Sequence, residues 1–316
     1  KKSFQTRGIL TAVSSGMVYG MYTAFMTYAM ALGVWAVWYG EGSGLSEFAV
    51  LFLLSALGAG LTDGCAAIWA LIMAALRGKL GDFGRSFKTR PGAMMIIAAL
   101  FGGPFASTCY VVGLQMAGSI VVPISALCPA IGAFLFRQPL TPRMMLGILI
   151  CFSASALIGF SSMGGIEARP HMMLGLLFGF LAALGWGIEG CVCGYGVSII
   201  DSEVGITIRE VTIGISNLII LVPILGWIGQ TDGFAMLGKA LADMDSMKWF
   251  IVAGFLCYFN FMCWYRGNAM CGAALGMACN GAYSFWGPFF CWLILGVFFG
   301  LDGWNMAPVA WVGAVL

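Results

Sequence analysis

From Met172 to Ile200 the chain runs for 29 residues with a single charged side chain, Glu189, in the eighteenth place. A hydrocarbon core of about 30 Å is crossed by a helix of about 20 apolar residues. No water is available at that depth to pair main-chain amides, so a spanning segment must satisfy its own hydrogen bonds, as a helix does. A carboxylate there costs roughly 2.5–3.5 kcal/mol on insertion scales. The run therefore dictates a membrane-spanning helix and poses the question of what its one acid does.

The same pattern recurs along the chain. Ten spans are expected, at 8–39, 48–76, 92–114, 118–136, 144–160, 172–200, 204–229, 248–270, 272–300 and from 304 onward. Barrel strands would be about ten residues long and would alternate in polarity. Composition points the same way: 61% of residues are hydrophobic and 9% charged, against about 25% charged in soluble domains. The expected fold class is an all-α integral membrane protein with no separate soluble domain. The first run exceeds one straight crossing and is expected to tilt or break near Gly33. It is also too long for a cleaved signal peptide, so a retained helix is expected. The tenth run is cut at Leu316; its remainder, like an initiator methionine, is expected beyond the residues given.

Lysine and arginine orient the bundle. With the N-terminus inside, twelve of the fifteen basic residues fall on the cytoplasmic side and only Arg169, Lys239 and Lys248 opposite. Such asymmetry is the mark of the positive-inside rule. The net charge of +2 is thus membrane topology, and no nucleic-acid partner is expected. Ten of the eleven cysteines fall within spans and Cys271 at the junction of two, which leaves no loop framework of disulfides. Cys191 and Cys193 read as packing residues, and the lone histidine, His171, sits at a loop edge. No metal site is expected.

The chain reads as two copies of a five-helix unit, 1–160 and 172–316. G-x-x-M-x-G occurs at Gly113–Gly118 and again at Gly267–Gly272, each time leading into a span rich in small residues. Tyr19-Gly20-Met21-Tyr22 matches Trp186-Gly187-Ile188-Glu189, and Thr62-Asp63 matches Arg209-Glu210. Pro142 precedes Gly147 by five residues, as Pro308 precedes Gly313. An odd number of helices per copy inserts the second copy upside down. Inverted repeats place a substrate site at their interface near the midplane.

The stretch "GSIVVPISALCPAIGAFLFRQPLTPRMMLGILICFSASALIGF" resembles the closing part of an EamA-type repeat of the drug/metabolite transporter superfamily. The resemblance extends over nearly the whole chain. "GGPFAS", "LGWGIEG", "TIREVT" and "NGAYSFWGPFF" are similar to bacterial choline importers of the LicB type. Two positions depart from that pattern: Ser15, where tryptophan is common, and Gln138, where an acid usually closes the fourth span. The resemblance implies ten helices, alternating access, a bacterial cytoplasmic (inner) membrane with both termini inside, and choline or a similar quaternary amine carried inward. Monomer and homodimer are both open.

Lys248 and Arg266 stand near the ends of the eighth span, and four charged residues lie deeper within spans: Asp63, Glu189, Arg209 and Glu210. Arg209 and Glu210 are about six residues into the seventh helix, roughly 10 Å at 1.5 Å per residue. Arg209 could snorkel to the interface or pair with Asp63; the alternative is that these groups gate a cavity or relay protons. Glu189 has no cation among its sequence neighbours. An unpaired buried carboxylate tends to take up a proton, which suits a proton-coupled cation carrier; its other role would be to tie helices together. Tyr19 and Tyr22 share a helix face, as do Trp186 and Glu189, and Tyr283 and Trp286, with Asn280 one turn earlier. Aromatic cages recognise quaternary ammonium groups, so Tyr19, Tyr22, Trp186, Tyr283 and Trp286 are candidates to enclose a cation. Asn280 would bind its hydroxyl, and Glu189 would balance its charge or couple it to protons.

The chain holds no Walker P-loop, G-x-S-x-G, H-E-x-x-H or paired C-x-x-C motif. No cofactor and no enzymatic activity are expected. The leading rival is an exporter of amino acids or related metabolites, which an Arg209 facing the cavity would favour. A membrane-embedded transferase and a non-transporting scaffold of the same fold stand further off.

Overall fold

The computed structural model describes residues 2–117, 121–125, 127–137 and 172–301, with scattered positions between 141 and 157 and between 304 and 312. Among them every regular element is a helix, and seven helical rods are long and apolar enough to cross a membrane. The chain is an all-helical, multi-pass membrane protein.

The first rod, α1 (Lys2–Ala29), breaks before a short α2 (Gly33–Tyr39). The expected break near Gly33 is present and has a local cause. Gly33 adopts φ +53°, and the Asp243 carboxylate occupies the space a Cβ would need, accepting a hydrogen bond from the Val34 amide at 2.9 Å. A π-helical turn, Ala49–Leu53, opens the second rod and runs into α3 (Leu54–Leu76). After the small helix α4 (Leu80–Ser86), Thr89 caps α5 (Arg90–Leu100) by accepting from the Gly92 amide. That rod widens into a π-helix at Phe101–Ser107, around Pro104, and continues as α6 (Thr108–Ala117). Proline brings no amide donor, and π segments mark functional sites more often than chance.

Two short helices follow, α7 (Val121–Ser125) and α8 (Cys128–Leu135). The long α9 (Met172–Ile199) carries Glu189. Asp201 caps α10 (Ser202–Ile215), which passes through a π segment, Ser216–Leu221, into α11 (Val222–Ile228). A short α12 (Gly233–Ala242) leads to α13 (Met244–Cys271), which stops at Gly272, φ +91°. The ninth expected span is α14 (Ala273–Asn280) and α15 (Tyr283–Phe290), extended by a π segment, Cys291–Phe298. The expected spans one to three and six to nine thus recur with ends moved by a few residues. The fourth is represented by α7 and α8. Most of the fifth and tenth, with Gln138 and His171, lies outside the described residues.

Two antiparallel pairs dominate the packing. Along α1 and α13, Gly8 meets Met270 and Ala12 meets Gly267. Along α9 and the α5–α6 rod, Gly175 meets Met116 and Ala117, Gly185 meets Ala106, and Glu189 meets Gly102. Between them α3 and α10 cross so closely that a Cβ on Gly214 would stand 3.2 Å from Gly64 Cα. Without a hydrophobic drive in lipid, small residues that admit close approach supply this packing. Leu76, Met173, Leu177, Ile219 and Trp227 are exposed on the outer faces, as a lipid-facing surface requires. No disulfide joins the ten described cysteines to one another.

Gly267→Val would drive a side chain into the α1 backbone, 3.0 Å from the Ala12 nitrogen. We expect it to lower stability by about 1–3 kcal/mol, read as a drop in apparent Tm in detergent. Gly287→Ala, with nothing within 4 Å, should be neutral; equal effects would contradict the α1–α13 packing.

Candidate functional site

Asp63, Glu189, Arg209 and Glu210 converge from three rods. Arg209 on α10 donates through Nε to Glu189 Oε1 at 2.7 Å and through Nη1 to Glu210 Oε1 at 2.8 Å. All three are buried. The Tyr265 hydroxyl donates to the same Glu189 oxygen at 2.9 Å, and the guanidinium carbon lies 3.3 Å from the Phe261 ring centre. Asp63 on α3 accepts from Asn217 Nδ2 at 3.4 Å and from the Cys257 thiol at 3.8 Å. Two acids therefore hold one guanidinium with a third near Glu210, and Glu189 Oε2, Glu210 Oε2 and Asn217 Oδ1 have no hydrogen-bond partner among the described residues.

This geometry corrects two expectations. Glu189 is not without a cation: Arg209 sits twenty residues on in sequence but on the adjoining helix, a distance that local spacing does not reveal. Arg209 does not snorkel outward, and its ion pairs are with Glu189 and Glu210 rather than Asp63. A charge this deep is held by the nearest acids, because in a medium of low dielectric an unpaired guanidinium would be costly.

Aromatic side chains border the acids. Tyr19 packs edge-on to Tyr22 at 4.9 Å and against Tyr283 at 4.8 Å. Trp186 packs on Tyr110 at 5.1 Å and donates from Nε1 to the Gly102 carbonyl at 3.0 Å. Tyr110 is within electrostatic reach of Tyr19 and Tyr283, and Asp63 of Tyr19 and Tyr22. All of these rings, and Asp63, are partly buried. Trp286 is placed elsewhere, stacked among Phe285, Phe289 and Phe290 beside Ala24 and Phe25. Asn280 is engaged with Ser15, donating to its hydroxyl at 2.7 Å; the serine thus stands where a bulkier side chain would block that contact.

Sequence reasoning missed Tyr110, Asn217 and Gly102. Tyr110 and Asn217 are polar groups inside apolar runs, the same signal that singled out Glu189. Gly102 was visible only as part of "GGPFAS"; the structure shows that the Glu189 carboxylate lies in the space its side chain would fill.

At one end of the rods the two halves of the chain are joined by charge. Glu203, buried on α10, pairs with Arg77 and with Lys79 at 3.3 Å, and Lys79 reaches Asp201 at 2.8 Å. Arg266 adds a hydrogen bond to Ser202 at 2.7 Å. The hydrogen bond to Asp201 raises Lys79 above the ordinary lysine range. At Asp201 partial burial pushes upward, but the Lys79 hydrogen bond and the Glu203 amide outweigh it and hold the carboxyl below its usual value.

No family model matches the chain, and no curated protein matches it. Among solved structures, a crystal structure described only as that of a protein aligns with a TM-score of 0.58 at 15% identity, over 96% of this chain and 92% of that one. At that identity the likeness extends to the fold alone.

Gly102→Ala should displace the Glu189 carboxylate and weaken its pairing with Arg209, costing about 3–5 kcal/mol if a charge is left uncompensated. Thermal unfolding measures this, and Gly84→Ala, in open space, is the control. The ion-pair latch carries a pH signature. The Asp201 contribution is present above about pH 4 and lost as pH falls through its depressed value; that of Lys79 is present below about pH 10 and lost as pH rises through its raised value. The Tm gap between wild type and Lys79→Gln should therefore be small, flat from about pH 5 to 9, and narrower below about pH 4.

Proposed function

We propose that this chain is a secondary transporter that works by alternating access between two inverted five-helix halves and imports choline or a similar small quaternary amine. The helix pairing supports the repeat. Gly8 and Ala12 meet the second G-x-x-M-x-G stretch, while Gly175 and Gly179 meet the first at Gly113 and Met116 or the Val121 just beyond it. Gly175, Gly179, Trp186 and Glu189 each stand 167 positions after Gly8, Ala12, Tyr19 and Tyr22. One register thus relates both the packing glycines and the candidate site. An exchange of halves turns α1 on α13 into α9 on the α5–α6 rod, and both pairs are antiparallel.

One observation carries the choice of cargo: Arg209 is neutralised by Glu189 and Glu210, with Asp63 a third acid nearby. A zwitterion carrier needs a free cation for the substrate carboxylate, and Arg209 is committed. The excess of acid, bordered by Tyr19, Tyr22, Tyr110, Trp186 and Tyr283, suits an organic cation; aromatic faces hold desolvated cations by about 2 kcal/mol or more. The resemblance to drug/metabolite transporters and to LicB-type choline importers supports the same reading. In this reading the basic loop after α3 is cytoplasmic, so the Arg77, Lys79, Asp201 and Glu203 cluster closes the inner side.

Choline added to proteoliposomes should give saturable currents. Tyr19→Leu should raise the half-saturating concentration about tenfold or more, and Glu189→Gln should abolish the currents in protein that still elutes as a single species. Currents evoked by amino acids instead of amines would replace this cargo with that of the rival exporter.

A further inference from the structure

We infer that Asp63, Glu210 and Asn217 form a binding site for a sodium ion, distinct from the aromatic face. Ligand atoms of Asp63, Glu210 and Cys257 lie within 4.8 Å of one another, on three different rods. Two buried oxygens at this cluster have no hydrogen-bond partner among the described residues: Glu210 Oε2 and Asn217 Oδ1. Glu210 is fully buried and Asn217 2% exposed, so water does not satisfy these atoms from outside. The Asn217 amide is fixed on the cluster by its hydrogen bond to Asp63, which leaves its carbonyl oxygen as a free donor of electron density.

Charge sets the occupant. With all four groups ionised, Glu189, Glu210 and Asp63 against Arg209 leave an excess of two negative charges. One monovalent ion removes half of that excess and leaves the rest for an organic cation. A divalent ion would cancel it entirely, beside a guanidinium that repels it; magnesium also sheds water reluctantly. The donor set argues against zinc or copper, which favour several thiolate and imidazole ligands: Cys257 is the single sulfur of the group and no histidine joins it. What remains is an oxygen set of two carboxylates and an amide, suited to an alkali cation.

The backbone fits this role. Asn217 lies in the π segment Ser216–Leu221, where the regular ladder of α10 is interrupted. Interrupted helices in transporters coordinate sodium at such places. Asn217 also borders a small, mainly apolar cavity of about 30 Å³, with Phe52, Ser55, Ala59, Val111 and Leu221.

The site is tested by binding, without reference to transport. The full chain in detergent is melted at constant ionic strength in sodium, potassium or N-methyl-D-glucamine chloride at pH 7.5. We expect a saturable rise in apparent Tm with sodium alone, following the linkage of ligand to folded state. Asp63→Asn should abolish the rise, and Asn217→Ala should shift half-saturation at least tenfold to higher sodium. Cys257→Ala, which removes only a hydrogen bond to Asp63, should keep the rise and so report on the site in a folded background. Equal melting in all three salts, the same rise with potassium, or a sodium response that survives Asp63→Asn would overturn the proposal. So would a Tm that responds to pH but not to sodium, which would make the occupant a proton. None of these results depends on whether choline is carried.

Discussion

Everything near the middle of this bundle is arranged around one guanidinium held between two carboxylates. In a low-dielectric interior neither Arg209 nor Glu189 could stand alone, because the desolvation of each ion is repaid only by a partner at hydrogen-bond distance. That demand fixes the approach of α9 to α10 and brings in Tyr265 from α13 to share the Glu189 oxygen. It also explains why the α5–α6 rod presents a glycine at position 102: the carboxylate takes the volume that any side chain would fill. Buried ion pairs of this kind add little net stability, but they discriminate strongly against arrangements in which one partner is lost.

The acid excess then separates two kinds of surface. Arg209, Glu189 and Glu210 are closed off, while Asp63 and the tyrosines keep some access. Asp63 stands at the boundary, in electrostatic reach of Tyr19 and Tyr22 on one side and bonded to Asn217 on the other. A single residue is thus placed to sense both the aromatic space and the interrupted helix.

Much of this was legible in the sequence, because lipid imposes a simple rule on length and polarity. The long rods, the break at Gly33 and the depth of Glu189 all follow from where apolar runs start, stop and admit an ionisable group. What spacing could not supply was the third dimension. Arg209 and Glu189 are twenty residues apart, and only the crossing of two helices shows them to be neighbours. The i, i+3 rule placed Tyr283 and Trp286 on one face, yet helical turns at Ala282 and the crowding of Phe285, Phe289 and Phe290 direct Trp286 into a separate stack. Asn280, expected to meet a substrate hydroxyl, donates to the Ser15 hydroxyl of α1, a partner 265 residues away that spacing does not reveal.

The Asp243 carboxylate illustrates how irregular backbone is kept ordered at a membrane surface. One of its oxygens accepts from the Val34 amide at the start of α2 and from the Ser246 hydroxyl, the other from the Asp245 amide at the start of α13. Two helix beginnings, more than two hundred residues apart in the chain, share a single acceptor group. Because Asp243 is itself the cap of α13, fraying of that helix withdraws the acceptor from Val34 as well, whereas fraying of α2 leaves the Asp245 and Ser246 bonds in place. Order is therefore passed in one direction, from α13 to α2.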